Sequence, residues 1–270
     1  MKLNWVIGDI HGCFNALQRL EAKITARCRR LDAEPFFVSV GDLVDRGPHS
    51  AEVVEHFLQG TAKGTHQAIV GNHEVLMINC LEHHHPRFGD SIPAPVWYED
   101  METRHARRRR LTRYSTLDEY IIFNKLVWMA NGGADTVTSY GGDPYTPETW
   151  SVPEAHFAYL AGRPLFWEDE HAIATHALAH ASDIDALRTG GRPSHDALER
   201  TLWGRARPKA APAPPKRHLS GHTPLPRVYR DATLDFVQID TGAYMGGRLT
   251  AWCTALETSI SVASRVRWEM

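Results

Sequence analysis

Six polar side chains stand in short glycine-marked blocks spread over the chain: Asp9 and His11 in GDIHG, Asp42 in GDLVDRG, Asn72 in GNHE, His176 in ATHA, and His222 in SGHT. All offer hard or borderline oxygen and nitrogen donors, and no thiolate is among them. Such a set suits manganese, iron, zinc or cobalt better than a soft-metal site. A carboxylate able to bridge, with histidine, aspartate and asparagine on either side, is the mixture a two-metal phosphoester site requires. Taken singly, a Gly-Asp pair is an ordinary turn and a histidine an ordinary core or surface residue. Their force lies in recurrence, because nearly every block closes a β-rich run.

Those runs show how the donors are positioned. Trp5–Ile7 is strand-like and stops at Gly8, after which Phe14, Leu17, Leu20 and Ile24 recur at helical spacing. Phe36–Val40 stops at Gly41, and beyond Pro48 the set Val53, Val54, Phe57 and Leu58 marks a second amphipathic helix. Gln67–Val70 stops at Gly71 and is followed by Leu76, Met77, Cys80 and Leu81. Three βα units therefore place Asp, His or Asn at strand carboxyl ends, where open α/β sheets bind ligands. Residues 82–167 are expected to be a mostly helical insertion. The strand pattern resumes at Ala172–Thr175, the proline-rich stretch 207–217 is expected to be an exposed loop, and Phe236–Ile239 is a further strand. Leu249–Leu256 and Ile260–Val266 are expected to join it in a second sheet layer.

With 270 residues and 43% apolar content, the chain can bury a substantial core, and we expect one domain over 1–270. Thirty basic against 32 acidic side chains leave a net charge of -2, too little to attract nucleic acid or an anionic membrane in bulk. Neither is expected as a partner. No run approaches the roughly 20 apolar residues of a membrane span, and a cytoplasmic location with reduced cysteines is expected.

The blocks GDIHG, GDLVDRG, GNHE and GHT, in that order, resemble the signature of the phosphoprotein phosphatase family of metallophosphoesterases. Asn131-Gly132-Gly133 leading to Thr138–Gly141, Leu202–Arg205 and Asp240–Ala243 resemble secondary blocks of its small bacterial serine/threonine phosphatases. The resemblance implies an α/β fold in which two mixed sheets form an α/β/β/α sandwich. It implies Asp9 and His11 on one divalent ion, Asn72, His176 and His222 on a second, and Asp42 between them, with manganese the expected metal and iron, zinc or cobalt suited as well. It further implies His73 as general acid oriented by Asp45, and Arg46 and Arg205 as the grip on phosphate oxygens, with Arg207 an alternative to Arg205. The implied activity is hydrolysis of phosphoserine and phosphothreonine in proteins, extending to phosphotyrosine, by direct attack of a hydroxide held between the metals. One departure stands after His176, where Ala177-Leu178 replaces the Ala-Gly of the bacterial relatives.

The competing reading is a symmetrical dinucleoside tetraphosphate hydrolase, or a broad small-molecule phosphoesterase of the same fold. The tetraphosphatases typically carry alanine, aspartate and tryptophan where this chain has Asp45, Glu74 and Thr223, which favours the protein phosphatase. A phosphopeptide-binding scaffold without activity would have lost a metal donor or His73, and none is lost. The basic run from Arg104 is read as a solvated helix face. His83-His84-His85 is read as a surface loop. Trp97-Tyr98 and Tyr244-Met245 are read as packing, with Tyr244 placed to border the cleft. Oligomeric state is not legible.

Overall fold

The computed structural model describes residues 1–82, 92, 94–108 and 116–265. Along the N-terminal third, β1 (Lys2–Ile7), α1 (Phe14–Arg30), β2 (Glu34–Ser39), α2 (Ser50–Ala62), β3 (His66–Ala68) and α3 (Asn72–Leu81) follow one another as parallel βα units. Alternation along β1 sets the layers. Leu3, Trp5 and Ile7 pack with Leu17, Leu20 and Ile24 of α1, whereas Val6 turns to the opposite face.

On that opposite face a second sheet lies against the first. It is built from β4 (Phe166–Glu168), β5 (Ala172–Thr175), β6 (Arg217–Ser220), β7 (Tyr229–Asp231) and β8 (Phe236–Gln238), in the order β4-β5-β6-β8-β7. Val6, Val38, Val40 and Ile69 meet Ala172, Ala174, Leu219, Val237 and Ile239 in the layer between the sheets. Ile173 faces outward, with Ile184 of α8 (Ala181–Arg188). The result is the helix, sheet, sheet, helix layering expected.

The last two strands correct the sequence expectation. β9 (Arg248–Cys253) and β10 (Thr258–Ala263) extend the first sheet, whose order is β10-β9-β1-β2-β3. β9 runs antiparallel to β1, with Trp5 opposite Cys253 and Ile7 opposite Ala251. Every residue of β9 after Arg248 is buried, so its apolar pattern announces a strand covered on both faces without specifying its sheet. The free edge of β1 decides it.

Between the sheets in sequence lie α4 (Met101–Arg108), α5 (Leu117–Trp128), α6 (Ala134–Ser139) and α7 (Glu154–Ala161). Thr116 starts α5 by accepting the Glu119 N–H while Glu119 accepts that of Thr116. Among the described residues of the basic run, Arg104 is not on the solvated face expected but buried and paired with Glu82, while the partly exposed Arg107 pairs with Glu99 at 2.6 Å. A buried guanidinium needs a carboxylate, and Glu82 at the end of α3 provides it. The side chain of Arg108, residues 109–113 and His83–His85 lie outside the described residues. α9 (His195–Trp203) precedes the proline-rich stretch, which has no regular structure before β6 but is only partly exposed. Pro208, Pro212 and Ala213 are buried, Ala213 against Ile173, Ala179 and Ile184, because these apolar groups cover the outer face of the second sheet. No helix among the described residues is long and apolar enough to cross a membrane.

Candidate metal centre

The loops after β1, β2, β3, β5 and β6 converge at one end of the paired sheets, and the donor residues meet there. His11 Nε2 lies 3.4 Å from Asp42 Oδ2, and His176 Nε2 lies 3.5 Å from Asp42 Oδ1. Asn72 Oδ1 is 2.8 Å from His176 Nε2 and 3.0 Å from His222 Nδ1. Donor atoms of His11, Asp42 and His73 lie within 4.8 Å of one another, as do those of Asp42, His176 and His222, so Asp42 belongs to both groups. Asp9 sits beside them, its carboxylate accepting the His222 N–H at 3.0 Å. That approach requires Gly221, where a Cβ would lie 1.9 Å from Asp9 Oδ1. His11, Asp42, Asp45, Arg46 and His222 all have left-handed backbone, a concentration of strain of the kind found where function fixes geometry.

The tautomers show that this centre fits a cation. His176 Nδ1 is 2.9 Å from the Val40 carbonyl, which can only accept, so Nδ1 carries the proton. Burial first, then the charge of His222, holds the ring well below the ordinary histidine pKa, leaving Nε2 as a lone pair. That lone pair faces Asn72 Oδ1 and Asp42 Oδ1. His11 also donates from Nδ1, to the Val44 carbonyl at 2.9 Å, and its Nε2 lies 3.4 Å from Asp42 Oδ2 with the Arg46 guanidinium beside it. Burial raises the carboxyls of Asp9 and Asp42 well above their usual range, and neighbouring carboxylates add to this: Asp240 and Asp42 for Asp9, Glu74 for Asp42. Divalent ions would resolve both the facing acceptors and the crowded negative charge.

Beside the cluster stands a separate acid–base pair. His73 Nδ1 is 2.7 Å from Asp45 Oδ2, both side chains buried. Asp45 is fixed in turn by Trp128 Nε1–H at 3.0 Å and the Thr136 hydroxyl at 2.7 Å, donated to Oδ1. Burial pushes Asp45 up to about 7 against those hydrogen bonds and the charge of Arg46. Burial, then Arg46, lowers His73 well below the ordinary histidine pKa. Arg46 donates to His11 Nε2 at 2.9 Å, and its guanidinium lies 4.3 Å from the Tyr244 ring centroid. Arg205 is exposed, with its charge felt by His222, Asp240 and Tyr244. Arg207 is instead engaged by Tyr229, 3.1 Å from its hydroxyl. Leu178, at the departure after His176, is buried and leaves His176 in contact with Asn72.

Several residues of this centre were quoted in the sequence without a role. Glu74 Oε2 accepts the N–H groups of Gly71 and Asp42 at 2.8 Å, and Oε1 accepts that of Leu43 at 2.8 Å, so one carboxylate shapes two loops. Tyr244 does more than pack, because its ring also meets His11 edge-on at 4.8 Å. The Asn131-Gly132-Gly133 block forms the kink joining α5 to α6, in which the Gly132 carbonyl accepts the Arg46 N–H at 3.1 Å. Gly132 has φ 103°, and a Cβ there would lie 2.6 Å from the Arg46 nitrogen. No local sequence signal assigned Trp128 or Thr136 to Asp45. Each reaches it from more than 80 positions away.

Comparison with known proteins identifies the family. The calcineurin-like phosphoesterase family matches residues 5–236. Serine/threonine-protein phosphatase 1 of Salmonella typhimurium is 30% identical over 249 residues, covering 91% of this chain and 89% of that protein. An asymmetrical bis(5'-nucleosyl)-tetraphosphatase of Halalkalibacterium halodurans is 26% identical over 277 residues, covering 96% and 93%. The crystal structure of a candidate diadenosine tetraphosphatase superposes with a TM-score of 0.60 at 18% identity, covering 99% and 95% of the two chains. With its two mixed sheets, its convergent strand-end donors and a family match over most of its length, the chain belongs to the calcineurin-like phosphoesterases, a family of metal-dependent hydrolases.

Proposed function

We propose that this protein is a two-metal phosphomonoesterase acting on phosphoserine and phosphothreonine in proteins, with phosphotyrosine within its range. The observation that carries this reading is the buried His73–Asp45 pair at 2.7 Å. An aliphatic alkoxide is a very poor leaving group and must receive a proton as the P–O bond breaks, whereas a nucleotide leaving from an anhydride departs as a stabilised phosphate. A fixed imidazole–carboxylate pair therefore has its greatest value on esters of aliphatic alcohols. The 30% identity to serine/threonine-protein phosphatase 1 supports the same substrate class.

Asp9 and His11 on one side and Asn72, His176 and His222 on the other, with Asp42 between, are the residues we assign to two divalent ions, manganese first. When bound, such ions supply a nucleophile at neutral pH and neutralise charge on the phosphoryl oxygens. His73 is assigned to protonate the leaving oxygen from Nε2 while Asp45 holds Nδ1–H. Arg46, steadied by Tyr244, and Arg205 at the rim are assigned to the phosphate oxygens, for which a guanidinium offers paired donors.

Hydrolysis of a dinucleoside polyphosphate is the second reading, favoured by the 26% identity to a tetraphosphatase along nearly the whole chain. The test compares kcat/KM of the manganese-loaded protein on a phosphoserine peptide and on diadenosine tetraphosphate, in wild type and His73→Asn. The phosphopeptide should be preferred, and its hydrolysis should fall by roughly 10² to 10⁴ in the variant while the anhydride is affected far less. Preference of the wild type for the dinucleotide transfers the function to the second reading.

A further inference from the structure

A second group of imidazoles and a carboxylate lies away from the strand-end loops, on the helical flank of the first sheet. Glu21 comes from α1, His56 from α2, and His66 from the amino end of β3. His56 Nε2 lies 3.0 Å from both Glu21 oxygens, and His66 Nε2 lies 3.2 Å from Glu21 Oε1. The three donor atoms fall within 4.8 Å of one another.

The His66 ring is held at both nitrogens by its neighbours. The Thr65 hydroxyl lies 2.8 Å from His66 Nδ1 and 3.2 Å from the Gly60 carbonyl. Without a cation the His66 ring donates Nε2–H to the carboxylate, and a cation displacing that proton meets Nε2 as a ligand already aimed at Glu21. Gly60 makes room for the ring: a Cβ there would lie 2.2 Å from His66 Nδ1. Phe37 and Phe57 pack on the His66 ring, with centroids at 5.0 and 5.4 Å, and give the cluster an apolar wall. His56 remains 27% exposed, which leaves a path from solvent and a free coordination position.

We propose that Glu21, His56 and His66 form a further divalent-metal site, of the borderline class that zinc represents, clamping α1, α2 and β3 together. Two neutral imidazoles, one of them backed by a hydroxyl, and one carboxylate are a zinc donor set, with water as the fourth ligand. The inference is independent of which phosphoester the enzyme hydrolyses.

Full-length, manganese-loaded wild type, His56→Gln and Glu21→Gln would be equilibrated with micromolar zinc, desalted and analysed for bound zinc, and wild-type crystals would be measured at the zinc edge. Wild type should retain one zinc per chain more than either variant. An anomalous peak should lie about 2.0 to 2.2 Å from both Nε2 atoms and a Glu21 oxygen. Phosphatase activity of the manganese form should remain within about twofold of wild type in His56→Gln, since none of the strand-end donors is touched. Equal zinc in wild type and variants, or no peak at the cluster, overturns the proposal and leaves a hydrogen-bonded ion pair only. Glu21→Gln decides the matter if His56→Gln does not fold.

Discussion

The strand-end centre and the Glu21–His56–His66 cluster use a similar device, an imidazole held at one nitrogen by an oxygen partner so that the other faces a further oxygen. They differ in what surrounds it. The strand-end centre is buried and is flanked by the His73–Asp45 pair and by Arg46 on Tyr244. At the flank, one carboxylate meets two rings beside apolar side chains. The difference teaches that converging ligand atoms can hold a cation, whereas phosphoester chemistry also needs a placed proton donor and a cationic grip. Substitutions can separate these two requirements.

Asp42→Asn should have the largest effect, because Asp42 alone belongs to both donor groups of the centre. Metal content measured by elemental analysis should fall, and with it kcat/KM by more than the loss from any single acid–base residue. His73→Asn should lower kcat by roughly 10² to 10⁴ with metal content intact. Equal metal loss in both variants would refute the division between holding and protonating.

Tyr244→Leu tests the grip. A ring 4.3 Å from the Arg46 guanidinium contributes about 0.5 to 2 kcal/mol by cation–π attraction, so kcat/KM for a phosphopeptide should fall several-fold. Metal content should not change. An unaltered kcat/KM would mean that the Tyr244 ring does not position Arg46 for the phosphate.

The two clusters also differ in how legible they were. Asp9, His11, Asp42, Asn72, His176 and His222 sit where strands end, and a backbone that must turn sharply while presenting a donor forces glycine and a short polar block into the sequence. That compactness makes the block readable. Glu21, His56 and His66 occupy helix and strand positions where any polar residue is tolerated, and their meeting depends on how α1 and α2 lie across β3. Trp128 and Thr136 were opaque for the same reason, since each reaches Asp45 through tertiary packing. The sheet membership of β9 was equally hidden: burial on both faces fits either sheet, and only the edge of β1 selects one.

The smallest expected effect concerns the flank cluster without metal. Burial raises the pKa of Glu21, but hydrogen bonds from His56 and His66 outweigh it and hold the carboxyl below its ordinary 4.5. A carboxyl whose folded pKa is depressed stabilises the fold above the unfolded pKa, and that stability is lost as pH falls through the folded value. In chelator-treated protein, Glu21→Gln should therefore be less stable than wild type near pH 7 by roughly 1.5 to 3 kcal/mol, the scale of a hydrogen bond to a charged group. The gap should close as pH drops below 4.5. Denaturant titrations across that range measure it. A gap that persists in acid would show that Glu21 acts through packing rather than charge. Repeating the titrations with zinc sharpens the contrast, because a metal clamped by ionised Glu21 should widen the gap at neutral pH and leave it closed in acid, where the ligands are protonated.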